Sequence, residues 1–137
     1  MDLDATSGLN GLLGVEFVEV TEDRCVSRIE LDERHMQPYG IVHGGVYTAL
    51  IELTASMPAA VWALNQGMPG SVGVNNNTDF IKATRQGVLV ASAAPVHRGR
   101  TQQIWAVEVR DEAENRLRAR GNVRMANITN LETVGSG

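Results

Sequence analysis

The succession of hydrophobic patterns along this chain predicts an α+β fold, an antiparallel six-stranded sheet wrapped around one long central helix. Three observations carry that expectation. Two period-two stretches precede residue 32, one long apolar stretch with three- and four-residue steps spans roughly 44–65, and four more alternating stretches follow. The length, 137 residues, suits a single domain covering 1–137, with a core over about 11–128 and a flexible tail at 129–137 ending in Gly-Ser-Gly.

Taken in order, residues 3–13 are small and polar with Gly8, Gly11 and Gly14, which argues for a short opening helix or a loop. Val15, Phe17, Val18 and Val20 begin a strand, Glu22-Asp23 turns it, and Cys25 to Leu31 completes a hairpin. Residues 32–42 carry Pro38 and Gly40 and read as a loop. In the helix, Val46, Leu50, Leu53, Met57, Val61 and Leu64 form the apolar stripe. Pro58 removes one backbone hydrogen bond inside it, so a kink or a restart is expected there. Gly67 to Gly70 closes the helix, and strands follow at 71–81, 87–97, 102–110 and 116–127. A sheet of this kind has edges to protect, and oligomerisation is the usual remedy.

Composition removes several function classes. A net charge of −4 argues against a general nucleic-acid binder. The single cysteine, Cys25, has no disulfide partner and reads as a buried strand thiol. Met1-Asp2-Leu3-Asp4 lacks the basic start of a signal peptide, and no apolar run approaches the ~20 residues of a membrane span. A cytoplasmic protein without membrane contact is the expectation. His35 has no second ligand nearby, so no metal is expected. Trp105 reads as packing, and Trp62 as core or pocket wall.

The chemistry concentrates in Gln37-Pro38-Tyr39-Gly40-Ile41-Val42-His43-Gly44-Gly45 and in Glu52 of the following helix. Two glycines at a helix start weaken the helix but bare its N–H groups at the positive end of the dipole. Such an end can hold a phosphate or polarise a carbonyl, or the pair can simply permit a tight turn. Glu52 is the only acid in the helix, on a face with Gly45, Thr48, Ser56 and Ala59. That face lacks the Lys and Arg of a solvated surface, which suggests a narrow, partly dry space. Gly44 and Glu52 are eight residues apart, about 12 Å along the axis, too far to share one carbonyl. If both serve one site, they come from two chains related by a two-fold axis.

Together, Gln37 through Gly45 and Ala49-Leu50-Ile51-Glu52 resemble the PaaI-like hotdog-fold thioesterases, and most nearly the 4-hydroxybenzoyl-CoA and 1,4-dihydroxy-2-naphthoyl-CoA thioesterase branch. The likeness runs from about Gly11 to Met125. It implies hydrolysis of an acyl- or aroyl-CoA, CoA being part of the substrate, with no cofactor. It implies Glu52 as nucleophile or general base and Gly44 as the amide that polarises the carbonyl. Gln37 would position substrate or water, His43 would lie beside the carbonyl, and Ser56 would aid the hydrolytic water. Gly73 would lie on a strand passing the site, and Phe80, Ile81, Lys82 and Ala83 would line the pantetheine and phosphate path. His97, Arg98, Gly99, Arg100, Thr101 and Gln102 would meet the nucleotide, the two arginines offering forked donors to phosphate. Family members are dimers or dimers of dimers, so a homodimer or homotetramer with interfacial sites is implied.

Two other classes compete. A non-hydrolytic acyl-CoA binding protein would keep the pocket without turnover, and the joint presence of Gln37, His43 and Glu52 speaks against it. Hydration of enoyl thioesters usually needs a histidine and a nearby acid in another arrangement. The run Asn75-Asn76-Asn77 has no explanation in the sequence.

Overall fold

The structure, a computed structural model, describes residues 4–130, so most of the expected tail lies outside the described residues. The chain runs α1 (Gly8–Leu13), β1 (Glu16–Val20), β2 (Cys25–Glu30), a 3-10 turn (Glu33–His35), α2 (Gly44–Asn65), β3 (Gly70–Phe80), β4 (Val88–Arg98), β5 (Gln102–Asp111) and β6 (Leu117–Ile128). The strands form one antiparallel sheet in the order β1-β2-β4-β5-β6-β3. The hairpins stay adjacent. β3 alone crosses over, pairing with β6 at the edge of the sheet.

The sheet takes up the apolar surface of α2, and this rotates the buried arc away from the stripe read in the sequence. Val46, Tyr47, Leu50, Ile51, Leu53, Thr54, Ala55, Pro58, Ala59 and Ala63 are buried, whereas Met57 and Val61 are half-buried and Leu64 is exposed. Ala59, expected beside Glu52, is fully buried for the same reason. The sheet curls around more than one side of the helix, so small residues are buried where strands come close and larger ones are left at the rim. α2 runs unbroken through Pro58, with no restart. By length and composition its 22 residues could cross a membrane, contrary to the sequence expectation, but here they are the core helix of the sheet. Gly121 permits the close approach, since a Cβ there would lie 2.7 Å from Asn77 O and 3.2 Å from Ile51 Cγ2.

Bulges explain several apolar residues on the surface. Register slips at Phe17/Glu19, Gly73/Asn75 and Pro95/His97 leave Val18, Val74 and Val96 as extra residues, and all three are exposed. The inner face carries Cys25, Ile29, Leu89, Trp105, Val107, Val109, Val123 and Met125. Of its buried polar residues, Gln103 accepts the Trp105 indole N–H at 2.8 Å and donates to Ala59 O and Asn127 Oδ1 at 3.1 and 2.8 Å.

His35, also fully buried, is a structural node. Its Nδ1 accepts the Asp32 N–H at 3.0 Å, which leaves the ring proton on Nε2 to donate to Leu13 O at 2.7 Å. Its carbonyl accepts the His43 N–H at 2.8 Å.

Candidate active site

The start of α2 and the segment after β3 form one half of the candidate site. His43 caps the helix, its Nδ1 accepting the Gly45 N–H at 2.8 Å. That satisfies the second helical amide. The first, Gly44 N–H, has no acceptor among the described residues. The Phe80 ring lies across Gly44, so that a Cβ at Gly44 would come within 2.9 Å of Cζ. Tyr47 faces the same ring at a centroid distance of 6.0 Å and donates its hydroxyl proton to Thr84 Oγ1 at 3.0 Å. Burial pushes the Tyr47 hydroxyl above the ordinary phenol range, with the Thr84 bond and the Arg118 charge opposing.

A cavity of about 310 Å³ opens between these groups, and Gln37, Ile81, Lys82 and Ala83 reach it as well. Its far wall is strapped down: Ile81 and Lys82 donate their N–H groups to Arg118 O at 2.8 and 3.1 Å, and Arg118 Nη1 donates to Ala83 O at 2.8 Å. Gln37 Oε1 accepts the Tyr39 N–H, leaving the amide NH₂ as the end that can meet a ligand.

Glu52 opens on a different cavity of about 270 Å³, bordered by Ser56 and by α1. A Cβ at Gly73 would sit 3.4 Å from Glu52 Oε1, so the carboxylate leans on the bare backbone of β3. Ser56 Oγ donates to Glu52 O at 2.7 Å, one turn back. Glu52 is exposed in the single chain rather than enclosed in a narrow dry space. The reason is geometric: β3 flanks one side of the carboxylate and α1 stands across the cavity from it, which leaves the carboxylate open to solvent between them. Neither cavity includes both Gly44 and Glu52.

Residues 97–102 sit elsewhere. Gln102 pairs with Ala126, beside Val72, while Phe80 pairs with Ala119. Val72 and Phe80 are separated by about 26 Å of strand. Within one chain the turn and the Phe80–Ala83 segment therefore do not meet. Arg98 is already engaged, its Nη1 donating to Glu22 O and Asp23 Oδ1 at 2.9 Å each, with its guanidinium over Trp62 and Trp105 at 5.8 and 6.0 Å. His97 and Arg100 are exposed, and Arg100 and Lys82 form no ion pair among the described residues. Gly99 accommodates the His97 ring, since a Cβ there would lie 2.8 Å from Nε2. Thr101 O accepts the Asn127 N–H at 2.9 Å.

Three contributors escaped the sequence reading. Tyr47 sits three residues after Gly44, a helical step that could have placed it beside the same cavity. Asn76 donates through Nδ2 to Thr48 O at 3.0 Å and accepts the Thr78 hydroxyl at 2.7 Å, which gives the polar strand a role in tying β3 to α2. Leu9 of α1 reaches the Glu52 cavity, and no local pattern links residues so far apart in sequence.

Comparison with known proteins adds three relatives and a family. A family model described as the Thioesterase superfamily matches residues 39–117. Rv1847 of Mycobacterium tuberculosis is 42% identical over 127 residues, 92% of this chain and 90% of its own. Its structure aligns with a TM-score of 0.85 at 41% identity, covering 88% of this chain and 96% of that one. A 1,4-dihydroxy-2-naphthoyl-CoA hydrolase of Listeria monocytogenes is 32% identical over 112 residues, 80% of this chain and 88% of its own. The structure of thioesterase HI1161 from Haemophilus influenzae aligns with a TM-score of 0.85 at 32% identity, over 94% of this chain and 88% of that one.

Proposed function

The chain belongs to the thioesterase superfamily, has its hotdog fold and is a thioester hydrolase, and from that premise we propose that it cleaves an acyl- or aroyl-CoA with Gly44 and Glu52 taken from two subunits. The observation that carries the reading is the unclaimed Gly44 N–H at the start of α2, beside a cavity that Glu52 of the same chain does not reach.

Symmetry supplies the missing half. Gly44 lies against Phe80 and Glu52 against Gly73, while midway between them Asn76 is bonded to Thr48 O. A two-fold axis near Thr48 and Asn76, with β3 pairing antiparallel to the partner's β3, would bring Gly73 beside the partner's Phe80. Glu52 would then face the partner's Gly44. The same operation covers the exposed side of Glu52 and pairs the β3 edge of the sheet. It also brings the 97–102 turn toward the partner's Phe80–Ala83 segment, so pantetheine and nucleotide can lie along one path. A dimer of dimers is compatible with this unit, and the PaaI-like branch is where its motif fits.

In the reaction, the thioester oxygen accepts from the Gly44 N–H, which holds the negative charge of the tetrahedral intermediate. Glu52 either takes a proton from water as the water oxygen bonds to the carbonyl carbon, or attacks that carbon itself. The C–S bond breaks, and CoA leaves as a thiolate that takes up a proton. In the second path, water then hydrolyses the Glu52 anhydride. Gln37 and His43 orient the thioester, and Ser56 supports the turn that carries Glu52. A buried free thiol and a CoA substrate accord with a cytoplasmic setting.

The test is a mixture of two inactive chains, Glu52→Ala and Gly44→Pro, refolded together and assayed by release of CoA thiol. A site shared between subunits restores one intact centre in each heterodimer, about a quarter of wild-type activity in a random mixture. A site within one chain restores none, and that result would sink the proposal.

A further inference from the structure

A thioester held between Glu52 and the partner's Gly44 has two halves, and the cavity beside Phe80–Ala83 takes the pantetheine. The acyl half must leave on the other side of Glu52, where this chain provides a wall. α1 buries none of its residues, with Leu9 59% and Leu12 71% exposed, yet Leu9 lines the Glu52 cavity together with Ala49, Leu53 and Met57 of α2. The wall is anchored rather than loose. Arg34 Nη1 donates to Leu12 O at 2.9 Å, His35 Nε2 to Leu13 O at 2.7 Å and the Val15 N–H to Asn10 O at 3.0 Å. Gly11 fits because any Cβ there would run into Thr6 O.

We propose that this cavity receives the acyl group and selects an aliphatic chain over a hydroxylated aromatic ring, an inference that rests on the hydrolase reading above. Its side-chain donors are engaged within the chain. The Ser56 hydroxyl donates to Glu52 O at 2.7 Å, the Asn10 amide donates to Ala5 O at 2.8 Å, and Glu52 itself does the chemistry. Among the described residues of this chain no aromatic side chain lines it, so the wall built by α1 and α2 gives a ring nothing to stack on. A pocket that discriminates for a substrate hydroxyl needs a matching polar partner, whereas an apolar one discriminates by methylene count. Leu9 and Met57 set the length it accepts, and Met57 can adapt to an irregular filling.

The experiment follows CoA release from acetyl-, hexanoyl-, octanoyl-, benzoyl- and 4-hydroxybenzoyl-CoA by wild type, Leu9→Trp and Met57→Ala. Octanoyl-CoA should exceed 4-hydroxybenzoyl-CoA in kcat/KM by about tenfold or more. Leu9→Trp should lower the octanoyl-to-acetyl ratio by about tenfold, and Met57→Ala should raise it. Acetyl turnover in each variant reports that the site still folds. A preference for 4-hydroxybenzoyl-CoA, or ratios unmoved in both variants while acetyl turnover persists, overturns the inference. Wild type inactive on all five esters would instead defeat the hydrolase reading beneath it.

Discussion

Phe80 covers Gly44 so closely that a Cβ on the glycine would stand 2.9 Å from the Phe80 Cζ. Because that atom is the far end of a half-exposed side chain, the ring can swing aside, and the amide can be tested separately from the space around it. Pro is well accepted at the first helical position; it removes the N–H and adds a ring, whose Cβ the Ala variant shares as a control. Gly44→Pro should lower kcat by about 10²–10³ with KM little changed. Gly44→Ala keeps the N–H and should lose far less. Equal losses in the two variants would assign the glycine to packing against Phe80 alone.

Cys25 is fully buried, and burial, aided by the Glu19 charge, pushes its thiol up to about 12. At pH 8 about one thiol in ten thousand is then ionised. Reaction with a disulfide reagent should therefore track unfolding rather than reagent concentration. Rapid labelling of folded protein would contradict this placement.

Asp111 caps the turn between β5 and β6, and the Glu114 N–H at 2.6 Å is the first cause that holds its carboxyl below the ordinary range. The Arg118 guanidinium and the Arg116 N–H act in the same sense, and burial opposes them. The folded chain thus binds this proton less readily than the unfolded one. Its stabilising effect is complete above the ordinary carboxylate value of about 4 and is lost as pH falls through the lower folded value. Asp111→Asn should flatten the acid side of stability against pH, measured as the urea midpoint between pH 2 and pH 5. Parallel wild-type and variant curves would refute it.

Gln103 joins the Trp105 indole, α2 and Asn127 inside the sheet. Gln103→Ala leaves the buried indole N–H unpaired and opens a cavity, at a cost of about 2–4 kcal/mol. Thermal unfolding should shift down by several degrees, while acyl preference stays as in wild type. A changed preference would connect this network to the site.

What was legible in the sequence was local. The alternation of Cys25 to Leu31, the three- and four-residue steps through α2 and the glycines at its start each arise from neighbours in the chain. The positions that moved depend on distant partners. The bulge at Val18 exists because β2 pairs it out of step, and Ala59 is buried because the sheet curls around α2. Arg98 is turned toward Asp23, 75 residues away, which no spacing rule reveals. The split between Gly44 and Glu52 was readable because it needs only the rise of one helix.

His35 carries the consequence furthest from its own position. One imidazole holds the end of α1 and the turn before Gln37, and its carbonyl holds the cap of α2. On the proposed roles of α1 and of the Gly44 amide, substrate choice and turnover would share this one support. Drift in α1 toward a new acyl group would then reach the start of α2 through His35, and acceptance and rate would change together.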